Sequence, residues 1–178
     1  MKKYIVILFL LVAVAACKNS ETFRTYEEAE KEFRQSLTFR DTLMVLTLGQ
    51  NFMDALKAGE IQPELANLCV LDCDTLYKVS DRSLVELQQR FSSTPVSDYA
   101  LASYSFSTPG NNDLSFRYVT SGKIGSGPAM KIMFNPVKVG ENWYLTLKDG
   151  NMSSLDKDPR VQVHPLSPAP APIVLNTK

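Results

Sequence analysis

The hydrophobic period of this chain changes once, at Pro95, and that change limits the folds open to it. Before Pro95, apolar residues recur at three- and four-residue steps, the spacing of one helix face. Tyr26, Ala29, Phe33 and Leu37 form one such stripe, introduced by the capping-box pattern Thr25-Tyr26-Glu27-Glu28. A second capping signal, Thr38-Phe39-Arg40-Asp41, opens a longer apolar helix that Gly59 should stop. A short helix with Pro63 in its first turn is expected over residues 60–67. Another is expected from Ser80, with Ser83 and Glu86 as a capping box and Leu84, Leu87 and Phe91 as its buried stripe. Residues 70–79 show no clear period. After Pro95 the pattern alternates, which predicts strands at 99–107, around 114–119, around 130–134 and at 143–147. Their short connections favour an antiparallel meander. Helices first and strands second define an α+β class.

The N-terminus carries a different signal. Lys2 and Lys3 precede an apolar run from Tyr4 to Ala16, which ends in Val14-Ala15-Ala16-Cys17. That run is short of the ~20 residues a membrane-spanning helix needs. A basic start, an apolar core and small residues before a cysteine form a secretory signal pattern. It resembles the lipobox of bacterial lipoproteins, in which the cysteine is lipidated and becomes the mature N-terminus. The resemblance implies a signal peptide over 1–16, lipidation of Cys17 and a membrane partner reached through that lipid. It also implies residence in the cell envelope of a Gram-negative-type bacterium. Lys18 after the cysteine fits outer-membrane transfer, and the single acid in Lys18-Asn19-Ser20-Glu21 favours the periplasmic face over surface display. Residues 17–24 then read as a polar tether, 25–150 as the folded domain and 151–178 as a flexible tail enriched in proline from Pro159 to Pro172.

Without Lys2 and Lys3 the mature chain carries slightly more acids than bases, and its basic residues are scattered. Such a chain has no electrostatic footprint for nucleic acid. Cys69 and Cys73 remain after Cys17 is assigned to lipid. Outside the cytoplasm they are candidates for a disulfide closing a tight loop. The alternative is a pair of reduced, buried thiols behaving as small hydrophobes. A zinc site would need more Cys or His ligands, and the single histidine, His164, lies far along the chain.

The segment Asn51-Phe52-Met53-Asp54-Ala55-Leu56-Lys57-Ala58-Gly59-Glu60 resembles the first long helix of the nuclear transport factor 2-like superfamily. Glu141-Asn142-Trp143-Tyr144-Leu145 resembles its aromatic-rich final strand, and a looser cystatin-like arrangement fits as well. The resemblance covers about residues 41–149. It implies N-terminal helices packed on a curved, mostly antiparallel four-stranded sheet that leaves a conical pocket. It does not imply one activity, because members include isomerases, dehydratases and binding or assembly domains.

Catalysis in such a cone needs a carboxylate base and a hydrogen-bond donor at the oxyanion. Asp72, Asp74, Tyr77, Tyr104 and Tyr118 are the available groups, and none sits in a motif matching a catalytic position. The loop Gly122-Lys123-Ile124-Gly125-Ser126-Gly127 precedes a strand rather than a helix, so it reads as a hairpin connection and not as a phosphate loop. Tyr104, Phe116, Tyr118 and Trp143 are candidate pocket residues, with core packing as the other reading of their alternation. Two Asp-Thr-Leu triplets, at Asp41 and Asp74, resemble an O-glycosylation acceptor pattern of envelope proteins, and Thr75 is the better candidate. The expected function is that of a non-catalytic module binding an envelope protein or a small ligand, with no cofactor. The rivals are an isomerase- or hydratase-like enzyme and a structural lipoprotein acting through its tail.

Overall fold

Two capping boxes fix the first helices. In the computed structural model, which describes residues 25–148 and 155–165, helix α1 spans Tyr26–Ser36. Thr25 Oγ1 accepts from the Glu28 amide at 3.3 Å, while Glu28 Oε2 accepts from the Thr25 amide at 3.0 Å. Helix α2, Phe39–Ala58, repeats the device with Thr38 and Asp41 and stops at Gly59, whose φ of 76° is the left-handed cap conformation. Helix α3, Gln62–Asn67, carries Pro63 in its first turn. Helix α4, Asp81–Ser92, is capped by Ser80, which accepts from the Ser83 amide at 3.3 Å. The cap therefore lies three residues before the expected Ser83.

Among the described residues the sheet has seven strands rather than four. Strands β1 (Cys69–Asp72) and β2 (Thr75–Val79) precede α4. The four expected strands follow as β3 (Asp98–Thr108), β4 (Asn111–Val119), β5 (Met130–Val139) and β6 (Asn142–Leu147), and β7 is Lys157–Pro165. Their spatial order is β3-β4-β5-β6-β1-β2-β7. Every neighbouring pair is antiparallel except β1 and β6, which run parallel. The sequence concealed β1 and β2 because Asp72-Cys73-Asp74 breaks their alternation with a tight hairpin turn.

Strand β7 lies inside the segment assigned to the flexible tail, so the folded domain reaches Pro165. Proline lacks the amide a ladder uses, and Pro159 and Pro165 are tolerated because β7 is an edge strand. Side-chain bonds help hold it: the Asp156 amide donates to Ser83 Oγ at 3.0 Å, and Lys157 pairs with Asp72. Residues 1–24, with Cys17 and the expected signal peptide and tether, lie outside the described residues, as do 149–154 and 166–178.

The main core lies between the helices and one face of the sheet. Val45, Phe52 and Met53 of α2 meet Leu114 and Phe116 of β4, Phe134 of β5 and Trp143 of β6. Gly49 makes the close approach possible. A Cβ there would lie 2.5 Å from Leu114 Cδ2 and 2.7 Å from Phe116 Cε2, so no larger residue fits unless the strand side chains shift. The opposite face holds a smaller cluster of Cys69, Leu76 and Val137. Among the described residues, no helix is long and apolar enough to cross a membrane.

Candidate functional site

The helix-covered face contains one buried carboxylate, Asp41, and its oxygens are fully engaged. As the third residue of α2 it accepts at Oδ2 from the Thr38 amide at 2.8 Å and from Thr38 Oγ1 at 2.7 Å. Its Oδ1 accepts from the Trp143 indole at 2.9 Å and pairs with Lys138 Nζ at 2.7 Å. Register explains the convergence: Lys138 on β5 stands opposite Trp143 on β6, so their side chains share a face. The Lys138 ammonium also lies 5.7 Å from the Trp143 ring centroid, a cation–π contact. Burial alone raises a carboxyl pKa. Here the hydrogen bonds from Lys138, Thr38 and Trp143 together reverse that and hold Asp41 well below the ordinary carboxylate range. The group stays anionic at neutral pH, and each of its oxygens already has two partners.

Aromatic rings occupy the space beside it. Trp143 packs against Phe33 of α1 at 6.3 Å between centroids and against Phe106 of β3 at 5.4 Å. Phe52 meets Phe134 at 5.0 Å and Phe91 of α4 at 5.6 Å, both edge-on. Edge-to-face geometry is the favourable arrangement of ring quadrupoles, so this face is a packed layer.

Of the candidate pocket residues, Phe116 and Trp143 are buried, Tyr118 is half-buried, and Tyr104 is 45% exposed. Trp143 lines a recess of about 230 Å³ with Leu48, Leu68, Glu64 and Lys78, and the other three are not part of it. That volume is below the ~300 Å³ at which ligand pockets usually begin.

A second polar pair joins α2 to the start of β3. The Tyr99 hydroxyl donates to Asp54 Oδ1 at 2.6 Å. Burial, then the bonded Asp54 carboxylate and the nearby Asp98 charge, push the phenol up to about 12. Asp98 in turn accepts from the Ile124 amide at 3.0 Å, which ties the glycine-rich loop down on β3.

The expected Cys69–Cys73 bridge is not formed. Cys69 is buried on β1 and Cys73 is exposed in the hairpin turn, both as free thiols. Four residues of strand span about 13 Å, roughly twice the widest Cα spacing a disulfide closes. Burial, opposed by the Lys78 charge, pushes the Cys69 thiol up. Thr75 opens β2, half-buried, opposite Asp72 on one side and Pro165 on the other. Asp72 and Asp74, the acids considered for catalysis, stand exposed at the same hairpin. No group of three or more His, Cys, Asp or Glu among the described residues is placed to hold a metal ion.

Sequence reasoning read Asp41 as a helix cap and missed its second role. Its partners Lys138 and Trp143 lie about a hundred residues away, and only the β5–β6 register brings them to it. No family model, curated protein or solved structure matches the chain.

Proposed function

We propose that this chain is a lipid-anchored envelope protein whose domain binds or assembles with a partner rather than catalysing a reaction. The observation that carries the non-catalytic reading is the filled helix-covered face, with Asp41 saturated by donors and the neighbouring space occupied by Phe33, Phe106 and Trp143. An enzyme of the isomerase or hydratase type needs room for a substrate beside its base, and that room is taken by side chains. The nuclear transport factor 2-like resemblance is supported by the long α2 ending at Gly59, by helices gathered on one face of the sheet, and by Trp143 near its centre. Anchoring rests on the order of Lys2-Lys3, the apolar run and Val14-Ala15-Ala16-Cys17.

Two measurements test the proposal. Intact mass of the membrane fraction should show a chain beginning at an acylated Cys17, and Cys17→Ala should abolish the mass shift. Soluble wild-type protein that keeps Met1 would sink the anchor. Trp143 is the only tryptophan, so its emission reports on the helix-covered face. Small carbonyl compounds should leave that emission unchanged. A saturable shift with turnover would replace the binding module with an enzyme.

A further inference from the structure

The two edges of the sheet are finished differently. At one edge, β7 carries Lys157, Asp158, Pro159, Arg160 and Pro165, the charges and prolines that keep an edge from pairing. At the other edge, β3 has no charged residue and no proline from Tyr99 to Ser107. It pairs with β4 alone, so its outer row of amides and carbonyls has no strand beside it among the described residues. Residues 101–105 are all exposed, including Leu101 at 40% and Tyr104 at 45%.

We infer that β3 pairs with β3 of a second copy of this chain, about a two-fold axis through Ser103. The pattern of the strand selects that occupant. Leu101 and Tyr104 stand opposite Phe116 and Leu114, so both lie on the helix-covered side, while Ser103 lies opposite Ser115 on the other side. The register shift between Leu101 and Ser103 leaves Ala102 as an extra residue, a β-bulge in which two residues oppose one. A two-fold through Ser103 accommodates it. Tyr104 then faces the partner's Leu101 and Ala102, Phe106 faces the partner's Tyr99, Ser105 faces the partner's Ala100, and Ser103 faces itself. Apolar side chains meet on one face and small ones on the other, and no like charges meet within the paired run. Helix α1 packs on β3, and residues 101–105 of the strand stay exposed beside it.

This inference deepens the assembly reading by naming a partner, and it does not depend on the lipid anchor. The test uses the full chain in mild detergent with Cys17→Ser and Cys73→Ser as background, because Cys73 is an exposed thiol and Cys17 is the chain's remaining cysteine besides buried Cys69. Adding Ser103→Cys should give a near-complete covalent dimer on mild oxidation, since directly opposed antiparallel residues lie about 4.5–5.5 Å apart between Cα atoms. Ser105→Cys should give little, because its symmetry mate is about 13 Å away along the strand. Tyr104→Lys should raise the concentration for half-dimerisation about tenfold or more and leave unchanged the melting temperature of the dilute monomer. A chain that stays monomeric at every concentration overturns the inference, as does crosslinking that is equal at positions 103 and 105. Either result leaves the acylation and Trp143 emission tests untouched, so the two failures are distinguishable.

Discussion

The helix-covered half of the sheet, β4 to β6, and the outer wing of β1, β2 and β7 are held by different forces. The first is an apolar, aromatic layer around α2, with one ionic knot at Asp41 sealed inside it. The wing has a small cluster around Leu76 and Cys69, a strand pairing with two register shifts, and an ion pair, Lys157–Asp72, that stands in solvent. Lys157 also lies 4.7 Å from the Tyr77 ring centroid. Stability should therefore sit in the helix-covered half, with the wing opening first. The contrast teaches that one continuous sheet need not be one uniform cooperative unit.

The largest test of that contrast is Phe134→Ala, which removes a fully buried ring between Phe52 and Phe116. It should cost about 3–5 kcal/mol in urea unfolding. Asp41→Ala leaves the half-buried Lys138 ammonium without its counter-ion and should cost up to about 3–5 kcal/mol. The pH dependence follows from the direction of the Asp41 shift. Its folded pKa lies below the unfolded value, so its contribution is present above about pH 4 and is lost as pH falls toward the folded value. Asp41→Asn should flatten this acid limb, and an unchanged limb would mean that other carboxylates govern it. Gly49→Ala should cost about 1–3 kcal/mol through overpacking against Leu114 and Phe116; a neutral result would show that α2 can lift from β4 without loss.

The wing should answer more weakly. Cys73 sits at φ 52°, in the left-handed region that asparagine tolerates better. Cys73→Asn should therefore raise stability by up to about 1 kcal/mol. Lys157→Ala should leave global unfolding unchanged and speed hydrogen exchange in β7 alone. A fall in global stability comparable to that of Phe134→Ala would erase the distinction between the two regions.

The same division marks what the sequence made legible. α1 and α2 could be located because a capping box is a local signal, with Thr25 and Thr38 each three residues from a partner. β3 to β6 could be located because one buried face forces alternation. The hairpin β1–β2 was hidden because its strands are short and its turn holds two acids and a cysteine. β7 was hidden because prolines that argue against a central strand are acceptable at an edge. The extended run of β1 decides between the two readings of Cys69 and Cys73, since a strand forbids the bridge that a loop would have permitted. The Asp41 knot could not be read at all, because no local pattern records which distant lysine a cap residue will meet.

The parallel contact of β1 with β6, where Cys69 stands beside Thr146, has a consequence in time. A chain is synthesised from its N-terminus, yet β1 gains its inner neighbour only after β6 has been made. Until then α1, α2 and the β1–β2 hairpin have no completed surface on which to bury their apolar sides. Pairings between such distant residues close slowly. The earliest-made third of the molecule must wait, exposed, for the last part of the core, and that interval is when the chain is most open to aggregation or to capture by a chaperone.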